Sequence, residues 1–305
     1  MARTASPVVL ARADPPLVRL APAVFVALWS TGFIAAKFGA PVAGPFSLLA
    51  LRMVLVVPLL AGLAVALKAP WPRGWPVIHA MVAGALIHGV YLGGIFYAVK
   101  HGLPAGLSGL VVGLQPILTA LFARAMLGER LGRTKTLGLA LGLVGLALVF
   151  LPKLTGAGLG AGPGATLDPV VMLVAFGAVA AIAFGTVYTK WAGGGAALVP
   201  GTALQFVGAA VVVTPLAAAE GFAYVPSLQL ALVTAWLVVV LSIGAVLIML
   251  WLMRRGAVSS VASLFYLVPP TTAVFAWIAF GETLAPIQIA GTVLVVVAVR
   301  LATRG

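Results

Sequence analysis

The chain has 305 residues, 63% of them hydrophobic and 8% charged, with a mean hydropathy of +1.22, far from the roughly 45–50% apolar and ~25% charged mix of a soluble domain. Cysteine is absent, which excludes a disulfide framework, a thiol nucleophile and Cys-based metal centres. The net charge of +13 is spread in small groups between apolar runs, the form of a topology signal and not of a basic face able to follow a phosphate backbone, so nucleic acid is excluded as a partner.

Residues 1–18, "MARTASPVVLARADPPLV", are polar and Pro-rich with no apolar region of a cleavable signal. They read as a cytoplasmic tail ahead of an uncleaved first span. Apolar stretches of the length needed to cross a ~30 Å hydrocarbon core, about 20 helical residues, then recur to the end of the chain. They predict an all-α integral membrane protein with spans at Leu20–Phe38, Phe46–Leu67, Trp75–Val99, Pro104–Leu127, Thr134–Leu151, Asp168–Lys190, Pro200–Ala219, Leu228–Met253, Val258–Phe280 and Pro286–Leu301. The breaks between them, such as "KAPWPRGWP" and "TGAGLGAGPGAT", are rich in Gly and Pro, which cost helices backbone entropy and amide donors. With the N-terminus inside, all Lys and Arg except Lys37, Arg52, Lys100 and Lys153 fall on the cytoplasmic side. The positive-inside rule thus predicts both termini in the cytoplasm.

One sentence is written twice. "GLQPILTALFARAMLGERL" from Gly113 and "YLVPPTTAVFAWIAFGETL" from Tyr266 place Pro116 and Pro269, Gly128 and Gly281, and Glu129 and Glu282 each 153 residues apart. "STGFIAAKF" and "AFGTVYTKW" keep that offset, matching Gly32 to Gly185 and Lys37 to Lys190. Two halves follow: 19–152 and 168–302, five spans each, joined by a Gly-rich linker at 153–167. An odd number of crossings inverts the second half relative to the first, an arrangement that suits alternating access. Paired halves also occur in channels, and that alternative stays open.

The repeated mid-span proline with its terminal "LGERL" or "FGETL", once per half, resembles the EamA-type members of the drug/metabolite transporter superfamily over essentially the whole chain. Within that group, the length and "WSTGFIAAKFG" look most like the YddG-type exporters of aromatic amino acids. The resemblance implies a basket of ten helices in which the first, third, fourth, sixth, eighth and ninth surround a central substrate cavity.

The residues narrow the mechanism further. No G-x-x-x-x-G-K-[ST] loop is present, which argues against ATP hydrolysis by this chain, and no ATPase partner is evident. All five acidic residues map to span ends or loops, favouring facilitated diffusion or exchange over a carboxylate proton relay, with titration of His88 as the route left to coupling. His88 lies thirteen residues into its span, ~20 Å along a helix, with Tyr91 three residues on. It is read either as cavity lining or as a hydrogen bond to a neighbouring helix. Trp29, Phe33, Tyr97, Phe184, Tyr188, Trp251 and Tyr266 lie in the spans assigned to the wall and suit flat apolar side chains, with core packing or lipid contact as the alternative. Gln115 and Ser263, with His88 and the Tyr hydroxyls, are candidates to hold a zwitterion without a fixed charge.

Lys37, Arg52 and Lys190 are expected to snorkel to the interface or to gate, given their places near span ends. Pro116 and Pro269 are read as kinks whose freed carbonyls point inward, and Glu129 and Glu282 as anchors of their turns, Glu129 by pairing with nearby Arg130 and Arg133, with gating as the minority role. Together these expectations describe a non-enzymatic transporter, without metal or cofactor, in lipid of the bacterial cytoplasmic membrane. Its substrates would be amino acids, aromatic and other neutral ones, exported by alternating access. A same-fold transporter of nucleobases, organic cations or sugar phosphates, or a channel-like pore, is the alternative.

Overall fold

A computed structural model describes residues 16–128, 132–154, 168–192, 196–255 and 267–304. The first half starts with α1 (Pro16–Gly39) and α2 (Pro45–Ala66). Its third span is composite: α3 (Trp75–Gly84), a π-helical stretch at Ala85–Val90, and α4 (Tyr91–Lys100). The fourth is broken into α5 (Ala105–Val112) and α6 (Gln115–Leu127), and α7 (Arg133–Leu154) completes the half. The second half contains α8 (Pro169–Trp191) and α9 (Leu198–Ala219), followed by a composite eighth span of α10 (Leu228–Ala235), a π-helical stretch at Trp236–Ala245 and α11 (Val246–Arg255). Then come α12 (Val268–Phe280) and α13 (Pro286–Arg304).

Seven helical stretches among the described residues are long and apolar enough to cross a membrane. Three shorter apolar helices, Thr136–Val149, Val268–Phe280 and Pro286–Ala298, stand where the fifth, ninth and tenth spans are expected. The protein is an all-α, multi-pass membrane protein. The sequence offset governs its elements: Pro16 and Pro169, Pro45 and Leu198, Trp75 and Leu228, and Arg133 and Pro286 start matching helices 153 residues apart. The two π-helical stretches also occupy matching places in the third and eighth spans.

The repeated prolines sit at matching places in their helices. Each sits in the first turn of its helix, α6 for Pro116 and α12 for Pro269, where a missing N–H costs nothing. In the fourth span the helix stops at Val112, Gly113 and Leu114 turn tightly, and α6 begins again. The proline ring would clash with the carbonyl four residues earlier, so the span is interrupted there. The repeated glycines end the same helices: Gly128 has φ 68° and Gly281 φ 64°, the left-handed cap that only glycine adopts without a Cβ penalty.

Between the halves, α3 and α9 cross at backbone contact. A Cβ on Gly84 would sit 1.9 Å from the Gln205 carbonyl oxygen, and one on Gly208 would sit 1.9 Å from that of Met81. Small residues here let the helix axes approach, as membrane helices need when lipid gives no hydrophobic drive to associate.

Candidate functional site

Where the two halves meet, a cavity is lined by Trp29, Gly32 and Phe33 of α1, Arg52 of α2, and Ile87, His88, Tyr91, Leu92, Ile95 and Phe96 of the third span. The second half adds Ile182 of α8, Phe206 of α9, and Leu237, Leu241 and Val246 of the eighth span. The wall therefore comes from spans one, two and three and their counterparts six, seven and eight. Among the described residues lining this cavity, the second and seventh spans appear in addition to those expected, and the fourth and the described part of the ninth do not.

The polar centre of the cavity is Arg52, only 7% exposed. It does not snorkel. Leu48, Arg52, Val56, Leu60 and Ala64, four residues apart, form the buried stripe of α2, so the guanidinium is carried to the inner face of the bundle regardless of its distance from the helix end. Its Nε donates to the Ser242 hydroxyl at 2.9 Å, and that hydroxyl donates to the Leu237 carbonyl at 2.8 Å. The guanidinium carbon lies 5.9 Å from the centre of the Phe206 ring. On Phe206 stacks His88, ring centres 4.5 Å apart and planes 8° apart, with Gln205 of α9 beside it. Gln205 is the residue at the Arg52 position in the second half. Sequence reasoning missed Phe206, Gln205 and Ser242; the repeat offset pointed to Gln205 once Arg52 was given weight. Tyr91, 3% exposed, completes the polar wall.

At one end of the bundle the two halves are tied to each other. Lys37, in the last turn of α1, forms an ion pair with Glu282 beyond α12 and lies 4.3 Å over the centre of the Phe280 ring. Glu282 also accepts from the amides of Ala105 at 3.1 Å and Gly106 at 2.9 Å. These are orphan donors of the α5 N-terminus, where negative charge is favoured. Of the two roles expected for Lys37, snorkelling is not the one seen, and Glu282 reaches beyond its own turn to the other half. Glu220 repeats the device: it accepts from the Phe46 and Ser47 amides at the start of α2, and from the Ser47 hydroxyl at 2.8 Å. The Tyr224 hydroxyl donates to the Ser47 carbonyl at 2.9 Å, and burial, reinforced by the Glu220 charge, pushes its phenol above the ordinary value. A two-residue bridge between Ala43 and Tyr224 binds the loops together.

The opposite end carries an aromatic cluster. His79 and the Tyr188 hydroxyl hydrogen-bond at 2.7 Å, Trp75 and Trp191 flank the imidazole, and Phe184 connects Tyr188 to Phe122. Of the residues singled out from the sequence, Trp29, Phe33, His88, Tyr91 and Arg52 therefore meet at the cavity. Phe184 and Tyr188 belong to the His79 cluster. Tyr97 stacks on His101, ring centres 4.0 Å apart, near the Lys37 end. Gln115 and Trp251 are not among the residues lining the cavity, Lys190 is exposed in the last turn of α8, and Ser263, Tyr266 and Glu129 lie outside the described residues.

The arrangement has known counterparts. The chain is 26% identical over 285 residues to "WAT1-related protein At3g02690, chloroplastic" of Arabidopsis thaliana, covering 90% of this chain and 66% of that protein, just under two thirds of its length. It is 25% identical over 280 residues to "Uncharacterized inner membrane transporter YedA" of Escherichia coli K12, covering 91% and 88%. A shorter match, 28% over 138 residues and 43% of this chain against 42% of the relative, is to "Probable amino-acid metabolite efflux pump" of Salmonella typhimurium. A solved crystal structure covers 95% of this chain and 98% of its own with a TM-score of 0.61 at 20% identity, a likeness of fold alone. The model of the EamA-like transporter family matches residues 20–151 and again 170–304, and the chain belongs to that family of membrane transporters.

Proposed function

We propose that this transporter exports amino acids, aromatic and other neutral ones, from the bacterial cytoplasm across the inner membrane, by alternating access of two inverted five-span halves. The observation that carries the reading is the cavity between the halves, walled by spans one, two and three and their counterparts six, seven and eight. A site at the interface of matched halves is where rocking of one half against the other exchanges the side to which the site opens. The Lys37 end, tied by Glu282 and Glu220, is in this reading the periplasmic gate in its closed form, and the distribution of Lys and Arg supports that sidedness. The ring faces of Trp29 and Phe33, with the hydrogen-bonding groups of His88 and Tyr91, suit a ligand with a flat apolar side chain and a polar head. The name of the Salmonella relative, a probable amino-acid metabolite efflux pump, agrees with it. With no carboxylate among the cavity-lining residues, movement down the substrate gradient or exchange is the favoured energetics.

Uptake of labelled tryptophan, threonine and methyl viologen into liposomes carrying the purified protein tests the reading, with and without a proton gradient. Saturable uptake of the amino acids without methyl viologen supports it. Absence of any saturable amino-acid signal removes it, and linear, unsaturable flux indicates a channel.

A further inference from the structure

We propose that Arg52 is a carboxylate receptor and that the cavity accepts small apolar monocarboxylates, aromatic ones foremost, without requiring the ammonium group of an amino acid. The proposal rests on the reading of this cavity as the substrate site and specifies which part of the substrate it holds.

A guanidinium stays protonated in proteins and offers five N–H donors in a planar fork, and a buried cation is costly unless paired. Arg52 is more than nine-tenths buried and lines the cavity, yet its described protein partners are all neutral: the Ser242 hydroxyl, the face of Phe206 and the neighbouring Tyr91 phenol. The carboxylates among the described residues are committed elsewhere. Glu282 is held by Lys37 and the α5 amides, Glu220 by the α2 amides, and Asp168 caps its own helix at the Val170 amide. Among the described residues no ion pair reaches Arg52. A ligand carboxylate fits the vacancy, since its two oxygens accept parallel bonds from the fork.

The rest of the wall fixes the remaining chemistry. Tyr91 and a neutral His88 can each donate one hydrogen bond to an anion, whereas nothing described in the wall is anionic, so an ammonium group meets only ring faces and the neutral acceptors of a phenol and an imidazole. Trp29, Phe33, Phe96 and Phe206 supply the apolar remainder. A single fixed cation matches a single negative charge, which sets phosphate esters and dicarboxylates apart.

Three ligands sharing one ring and chain separate the terms: 3-phenylpropionate has the carboxylate alone, 2-phenylethylamine the ammonium alone, and phenylalanine both. Their binding to the purified full-length protein in lipid nanodiscs can be measured by calorimetry. The expected result is that 3-phenylpropionate binds at least as tightly as phenylalanine and that 2-phenylethylamine binds at least about tenfold more weakly. Arg52→Gln should weaken the two carboxylates by about 10–100-fold and leave the amine unchanged, the range expected for losing hydrogen bonds to a charged group. Arg52→Lys keeps the charge without the fork and should fall between them; it also serves if the Gln variant does not fold. Equal binding of amine and carboxylate overturns the proposal, as does wild-type affinity for 3-phenylpropionate in a folded Arg52 variant. Arg52-dependent binding of 3-phenylpropionate with no transport of amino acids upholds it while removing the amino-acid reading above.

Discussion

Lys37 and Glu282, 245 residues apart in sequence, link the two halves at one end of the bundle, and the carboxylate of that pair simultaneously caps α5. One side chain thus joins the first, fourth and ninth spans. Glu282→Gln keeps the shape of the side chain but removes the charge, weakening both the ion pair and the cap. The chain has no native cysteine, so a single thiol placed by Phe33→Cys in the cavity reports access directly. Glu282→Gln is expected to raise its labelling by a membrane-impermeant maleimide from the Lys37 side by about tenfold, the scale of one charge-assisted hydrogen bond. Unchanged labelling would show that this pair does not hold the end shut.

The Tyr224 contact carries a pH dependence. Burial first, and then the Glu220 charge, disfavour the phenolate, so the folded-state pKa lies above the unfolded one. The contribution is therefore fully present below about pH 10 and is lost as pH rises through the folded value. Thermal unfolding in detergent should show a fall in stability above about pH 10 that is smaller in Tyr224→Phe. Identical alkaline profiles for the two proteins would place the sensitivity elsewhere.

At the crossing of α3 and α9, Gly84→Ala and Gly208→Ala each drive a methyl into a backbone carbonyl at 1.9 Å. Neither neighbour is a side chain that can swing away, so each variant should lose about 1–3 kcal/mol or fail to fold. Gly62→Ala is the control: its Cβ would meet nothing within 4 Å, and alanine is the better helix former by about 1 kcal/mol. Size-exclusion profiles and unfolding midpoints decide the matter, and a well-folded Gly208→Ala would contradict the close crossing.

His88 and Tyr91 face the cavity from either side of the junction between π-helical and α-helical geometry. His88→Ala removes the ring stacked on Phe206 and a donor toward the ligand. Tyr91→Phe removes a hydroxyl alone. Each is expected to lower kcat/KM for amino-acid transport, by about tenfold or more for His88→Ala and by less for Tyr91→Phe, with folding intact. Wild-type rates in both would move the substrate elsewhere.

The repeat was legible because proline and glycine punctuate locally: Pro116, Pro269, Gly128 and Gly281 alone set the offset that the helix starts obey. The placement of Arg52 was not. In a helix apolar all round, periodicity does not mark the inner face, and distance from the helix end suggested snorkelling where the stripe from Leu48 to Ala64 turns the side chain inward. The π-helical stretches at Ala85–Val90 and Trp236–Ala245 hide from a reading based on 3.6 residues per turn. The cap of Glu282 on Ala105 spans 177 positions, and no local pattern encodes it.

Counterflow in liposomes tests the central claim most directly. Vesicles carrying the protein are loaded with unlabelled phenylalanine and given a trace of labelled phenylalanine outside, with no proton gradient. Alternating access at a single cavity predicts transient accumulation of label above equilibrium, abolished when the internal amino acid is omitted. Label that only equilibrates, at a rate indifferent to internal phenylalanine, would contradict the account.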